Sequence, residues 1–240
     1  MHDSSFGRVF AVLFAPAKTF ESIAARPTWL VPLLLFSLLG LGSSFVIGSK
    51  VDFREVIVEQ IESSPAAGNL TEEQKEKQID FAERLGTAVL YGAPTVGPWI
   101  VYPIVAGIFW LLFKLLGSGI DFKRSLAVVT HGVMPFAVSA VLTVPVVMGQ
   151  EAIDLEALQS DTLLASNAGA FLPADASATL RALATSLDLF SLWTIALLII
   201  GYRVVAKASR ASAAAVVIGP WLLWVLAKVG LANLGQAFGG

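Results

Sequence analysis

The sequence predicts an all-α fold, a polytopic membrane helical bundle of five transmembrane helices with the N-terminus cytoplasmic and the C-terminus outside. Three observations predict it. Of 240 residues, 56% are hydrophobic and 14% charged, with a mean hydropathy of +0.75, whereas soluble domains carry about 25% charged residues. Apolar runs near the length of about 20 residues that crosses about 30 Å of hydrocarbon recur along the chain. The charges between those runs are sorted by sign.

The first run is the firmest. Thr28 to Ile47 holds 20 residues and no charge, so a span of about 28–48 is expected. Arg8, Lys18 and Arg26 lie just before it and act as orienting charges that keep the N-terminus in the cytoplasm. Met1 to Phe14 lacks the short apolar core and small-residue cleavage site of a signal peptide, so the first span is expected to be retained. Gly40, Ser44 and Gly48 fall four apart on one face, a small-residue pattern that lets helix backbones approach.

Residues 1–27 read as a cytoplasmic amphipathic N-terminal segment, and 28–240 as the membrane domain. Phe6, Val9, Phe10, Leu13, Ala17 and Phe20 recur at helical spacing, with Pro16 placed to start a second short helix as its first residue. Two placements fit: in the membrane interface, or packed under the bundle.

After the first span comes an acidic external loop, 49–85, where five basic residues face nine acidic ones. Thr71 and Gln74 form a capping-box pattern, and Glu72 and Glu73 suit a helix N-terminus, so a helix is expected to begin there. Ser63 to Gly68, with Pro65, reads as the turn before it. The carboxylates lack EF-hand spacing and read as a solvated face.

Gly86 to Leu116 is uncharged except for Lys114. It is too long for one perpendicular span and too short for two, so one span, about 95–116, is expected behind an outer helical overhang. A helix break is expected near Pro94 or Pro98, and a kink at Pro103. Trp99 and Tyr102 would sit at one interface and Trp110 nearer the other.

A third span covers about 126–148 and carries His131 one turn before Pro135. An ionisable group at this depth is a candidate for a proton or ligand role; alternatively it bonds a backbone carbonyl freed by a proline. A second acidic external loop, 150–186, precedes the fourth span; through Asp188 it sets Arg181 against six carboxylates. Leu155, Leu158 and Thr162 suggest one short amphipathic helix there, and Leu180, Leu183 and Leu187 another, split by Ser166 to Gly169. Spans at about 187–205 and 213–234 complete the count. Lys228, about two turns from the outer end of the last, is expected to snorkel outward.

With five crossings, nine basic residues (Arg8, Lys18, Arg26, Lys114, Lys123, Arg124, Arg203, Lys207, Arg210) fall inside near span ends, while both long loops are net acidic. That obeys the positive-inside rule. The absence of cysteine excludes disulfides and thiolate chemistry, and two histidines argue against an all-protein zinc site. No G-x-S-x-G, H-E-x-x-H, Walker A or dinucleotide motif is present. No catalytic, cofactor-binding or metal-ligating residue is assigned, no cofactor is expected, and the basic links are too small for nucleic acid.

Three stretches resemble the Yip1 family of five-span membrane proteins, in its bacterial and archaeal branch. They are FAPAKTFESIAARPTWLVPLLL (Phe14 to Leu35), LAVVTHGVMPFAVSAVL (Leu126 to Leu142) and LLIIGYRVVAKASRASAAAVVI (Leu197 to Ile218). His131-Gly132 stands where that family commonly has Gly-Tyr, so no role of the family tyrosine is carried over. The resemblance implies an integral, multi-pass protein of the bacterial cytoplasmic (inner) membrane. In eukaryotes it implies a vesicle-trafficking factor that contacts small GTPases and other membrane proteins.

The leading functional reading is a non-enzymatic protein that organises membrane or binds partners, with the lipid bilayer, other membrane proteins or a homo-oligomer as its contacts. The alternative is a transporter, channel or lipid-handling protein with a polar pathway near His131. The two readings differ in whether His131, the Gly92 to Pro103 stretch and Lys228 share a cavity.

Overall fold

A computed structural model of the chain describes residues 4–64, 67–151, 163–173 and 175–238. Ten α-helices are defined among them: α1 (Ser5–Phe14), α2 (Pro16–Ala25), α3 (Leu30–Gly48), α4 (Phe53–Glu62), α5 (Glu72–Leu115), α6 (Phe122–Gly132), α7 (Met134–Met148), α8 (Ala178–Ser186), α9 (Leu189–Val205) and α10 (Arg210–Phe238). Local sequence sets many of the boundaries. Ser4, Asp52, Asp121, Ser177 and Asp188 each accept a backbone N–H of the first turn they precede. Pro16 opens α2, and the Thr71–Gln74 capping box opens α5. At the other end of α5, Gly117 takes φ +79° while its N–H reaches Lys114 O and that of Ser118 reaches Phe113 O. This is a Schellman closure, which requires a left-handed residue at that point.

Four helical segments are long and apolar enough to cross a membrane: Leu30–Gly48, Glu72–Leu115, Phe122–Met148 and Arg210–Gly235. The fourth expected span is α9, apolar but only 17 residues long. Over the third segment 56% of the apolar window is buried inside the chain, against 22%, 17% and 17% in the others. Hence α6 and the first turn of α7 form the centre of the bundle, and the other long helices leave most of their apolar surface to the bilayer.

The core lies toward one end. Val9, Val12, Phe20 and Ile23 of α1 and α2 are fully buried and join Ala106, Phe109 and Phe113 of α5, Leu126 to Val129 of α6, and Leu197, Leu198 and Tyr202 of α9. The N-terminal segment therefore packs under the bundle. Phe6, Phe10 and Phe14, on the opposite face of α1, remain exposed. Arg8 and Arg124 hold this end together, reaching Arg26 O at 2.8 Å and Ala24 O at 3.1 Å near the C-terminus of α2. These cations act on a helix terminus where the backbone carbonyls lack partners. The residues at 8, 18, 26, 114, 123, 124, 203, 207 and 210 give the basic end of the bundle. The opposite, acidic end carries α4, the start of α5, and α8.

Several expectations are corrected. The helix through Pro94, Pro98 and Pro103 does not break: α5 is continuous over 44 residues, about 66 Å at the usual rise. The break falls instead in the third span, between α6 and α7 at Val133, two residues after His131 and two before Pro135. Pro135 has no N–H and its ring crowds the preceding turn. The helix expected at Leu180, Leu183 and Leu187 is α8; these leucines are exposed, and α8 buries Ala182, Ala184 and Thr185. Small side chains suit that site, because a Cβ on Gly169 would collide with Thr185. Trp99 remains partly exposed while giving its indole N–H to Ser37 Oγ at 2.7 Å. The last helix is longer at both ends than 213–234. The helix expected around Leu155, Leu158 and Thr162 lies outside the described residues.

Candidate functional site

His131 sits in the last turn of α6 and is wholly buried among Val128, Val129 and Thr130. Its Nδ1 is 2.9 Å from Ala127 O. A carbonyl only accepts, so Nδ1 carries a proton and donates. The carbonyl is that of the preceding turn, not one freed by a proline: Pro135 releases the carbonyl of His131 itself. Nε2 has no hydrogen-bond partner among the described residues. On one side, a Cβ at Gly132 would lie only 2.5 Å from Leu198 Cδ2, so α6 and α9 approach at backbone range. Nearby, Ser125 Oγ lies 2.7 Å from Ala106 O and 2.7 Å from the Tyr202 hydroxyl, while the Tyr202 ring stacks on Phe113 at 4.6 Å. These groups lock α5, α6 and α9 together.

Pro94 of α5 packs against Gly40 of α3. Pro94 cannot donate to Leu90 O, and Ser44 Oγ fills the gap at 2.6 Å. Ser37 Oγ donates to Thr95 O at 2.7 Å. A Cβ on Gly40 would stand 2.5 Å from Pro94 O, and one on Gly48 2.6 Å from the Tyr91 hydroxyl. The small-residue face expected from spacing is thus a close helix contact, extended one turn by Ser37. The Ser44 hydroxyl satisfies a carbonyl that a proline leaves unpaired, as membrane interiors require.

Lys228 lies at the acidic end of α10 and is half-buried, with Nζ 2.9 Å from Thr185 Oγ1. It lines a cavity of about 550 Å³ together with Asp188, residues of α7 and α8, and Trp221 and Trp224. Neither His131 nor any of Pro94, Pro98 and Pro103 contributes to that lining. The three candidate features therefore occupy separate places: a sealed core, a helix contact, and a cavity at one end.

Outside the apolar segments, Arg54 of α4 meets Glu76 at 2.5 Å, Glu83 at 3.1 Å and Asp80 at 3.2 Å along one face of α5. Hydrogen bonding to Glu76 foremost, then to Asp80 and Glu83, raises the Arg54 pKa and keeps it charged. No group of three or more metal-ligating side chains with suitable geometry occurs among the described residues.

Sequence reasoning overlooked Ser37, Ser125 and Tyr202, and read Arg8 only as an orienting charge and Asp188 only as a loop carboxylate. Asp188 carried a usable signal, an acidic residue directly before an apolar run, which marks a helix cap. Ser125 and Tyr202 carried none, since their contact joins positions 77 apart.

An all-helical bundle with apolar helices long enough to span a bilayer, and several of their faces unburied, defines an integral multi-pass membrane protein. The Yip1 domain model matches residues 10–231, and the chain belongs to the Yip1 family. No curated protein and no solved structure matches it.

Proposed function

We propose that the protein is a non-enzymatic membrane organiser that binds protein partners through its outer surfaces, with the basic end and N-terminus in the cytoplasm of a bacterial cell and the C-terminus outside. The observation that carries this reading is the aromatic row on α1. Phe6, Phe10 and Phe14 are 61%, 50% and 85% exposed at successive turns, while Val9 and Val12 behind them are fully buried. A rigid helix anchored in the core presents these rings at the basic end, where a partner's apolar surface gains by covering them. Membership of the Yip1 family supports a role within membranes. A polar pathway through His131 has less support, because that side chain is wholly buried and lines no cavity that the structure shows among the described residues.

The test is photocrosslinking in native membranes from a photoreactive residue at Phe10, with a second at His131, followed by mass spectrometry. Discrete protein adducts from position 10 and none from 131 are expected. Lipid adducts alone from position 10, or a small-molecule adduct at 131, contradict the reading.

A further inference from the structure

The cavity at the acidic end has two walls that change character together. On α7, Phe136, Ser139 and Thr143 line it, and on α10, Trp221, Trp224 and Lys228 do. Both helices run from the basic to the acidic end, so Phe136 to Thr143 and Trp221 to Lys228 each climb seven residues, about 10 Å, from aromatic to polar. Such a gradient matches one kind of ligand. It is an amphiphile whose polar head lies at the acidic end and whose tail points toward the middle of the bilayer.

The head region holds one charge of each sign. Lys228 Nζ uses one of its three protons on Thr185. The carboxylate of Asp188 accepts from Ser166 Oγ at 2.6 Å and from the Ser191 N–H at 2.8 Å, and its two oxygens retain further lone pairs. Neither Lys228 nor Asp188 enters an ion pair among the described residues. A cation and a carboxylate that pair with no described residue, beside one cavity, fit a ligand carrying an anion and an ammonium group.

We propose that this cavity binds an aminophospholipid from the leaflet at the acidic end, its phosphate on Lys228, its primary ammonium on Asp188, and its chains running past Trp221 and Phe136. α7 and α10 both pack on α9 and supply the two walls of the cavity, so the chains would enter from the bilayer between them. This site goes beyond the partner-binding reading and does not depend on it.

The experiment titrates the delipidated full chain in maltoside micelles with dioleoyl phosphatidylethanolamine, counting bound lipid by native mass spectrometry. Dioleoyl phosphatidylglycerol, which has the phosphate but no ammonium, is titrated in parallel. One saturable phosphatidylethanolamine site is expected. Asp188→Asn should weaken it about tenfold, the loss of one charge-assisted hydrogen bond, and leave phosphatidylglycerol binding unchanged. Asparagine caps helices as well as aspartate, so α9 should survive the change. Lys228→Gln should weaken both lipids. Equal binding of the two lipids, unaltered by Asp188→Asn, overturns the proposal. Displacement by soluble glycerophosphoethanolamine at concentrations comparable to the lipid overturns it too, because the chains would then contribute nothing.

Discussion

Ser44 shows how one hydroxyl governs the course of two helices. Its Oγ meets both Leu90 O, which Pro94 abandons, and Gly40 O in its own helix. Ser44→Ala should therefore lower stability by about 1 kcal/mol, the usual worth of a hydrogen bond between membrane helices, read as a loss of melting temperature in detergent. Gly40→Ala should cost more, about 1–3 kcal/mol, because the added carbon would press on Pro94 O and force α3 and α5 apart. An unchanged melting temperature for Gly40→Ala would contradict the close contact. The glycine and serine spacing made this face readable, since it depends on a period within one helix. Ser37 follows the same face one turn earlier and could have been read with it. The Ser125–Tyr202 bond could not, because nothing local relates the two positions.

Among the elements, the same reasoning explains why the break was misplaced. Three prolines in α5 and one at the start of α7 look alike in a sequence, and each removes a backbone donor. What separates Pro94 from Pro135 is a hydroxyl on a neighbouring helix, a tertiary fact. Helix ends were more legible, as at Pro16, Thr71 and Asp121, where capping chemistry is local. One end is imperfect: Lys207, just past α9, holds φ at 53° with a side chain that disfavours it. Lys207→Gly should raise stability by about 1 kcal/mol, and a fall in melting temperature would count against this local strain. At the acidic end, α4 is pinned to α5 largely through Arg54. Arg54→Ala should speed amide hydrogen exchange across Phe53–Glu62 at low salt, with a smaller difference at high salt, where such exposed pairs are screened.

At the scale of the whole molecule, composition and the spacing of apolar runs were enough to give a membrane-embedded helical bundle. Charge sorting predicted which links lie together at the basic end. Burial was not legible, because a run that faces lipid and a run that faces other helices have the same composition. That is why α6 was not recognised as the centre, and why His131 read as a candidate for chemistry when it lies wholly buried. The cavity beside Lys228 was equally hidden. Its lining comes from five separate stretches of the chain, and only the folded bundle brings them together.

The central claim is a sealed bundle whose basic and acidic ends face opposite sides of the membrane and which acts through its surfaces. The chain has no cysteine, so single cysteines at Glu73, Thr130 and Lys123 can be challenged in intact cells with a membrane-impermeant maleimide. Position 73 should label from outside, position 123 only after the membrane is permeabilised, and position 130, beside His131, under neither condition. Labelling of position 130 in intact cells would reveal a water-filled route into the core and contradict the account, as would labelling of positions 73 and 123 from the same side.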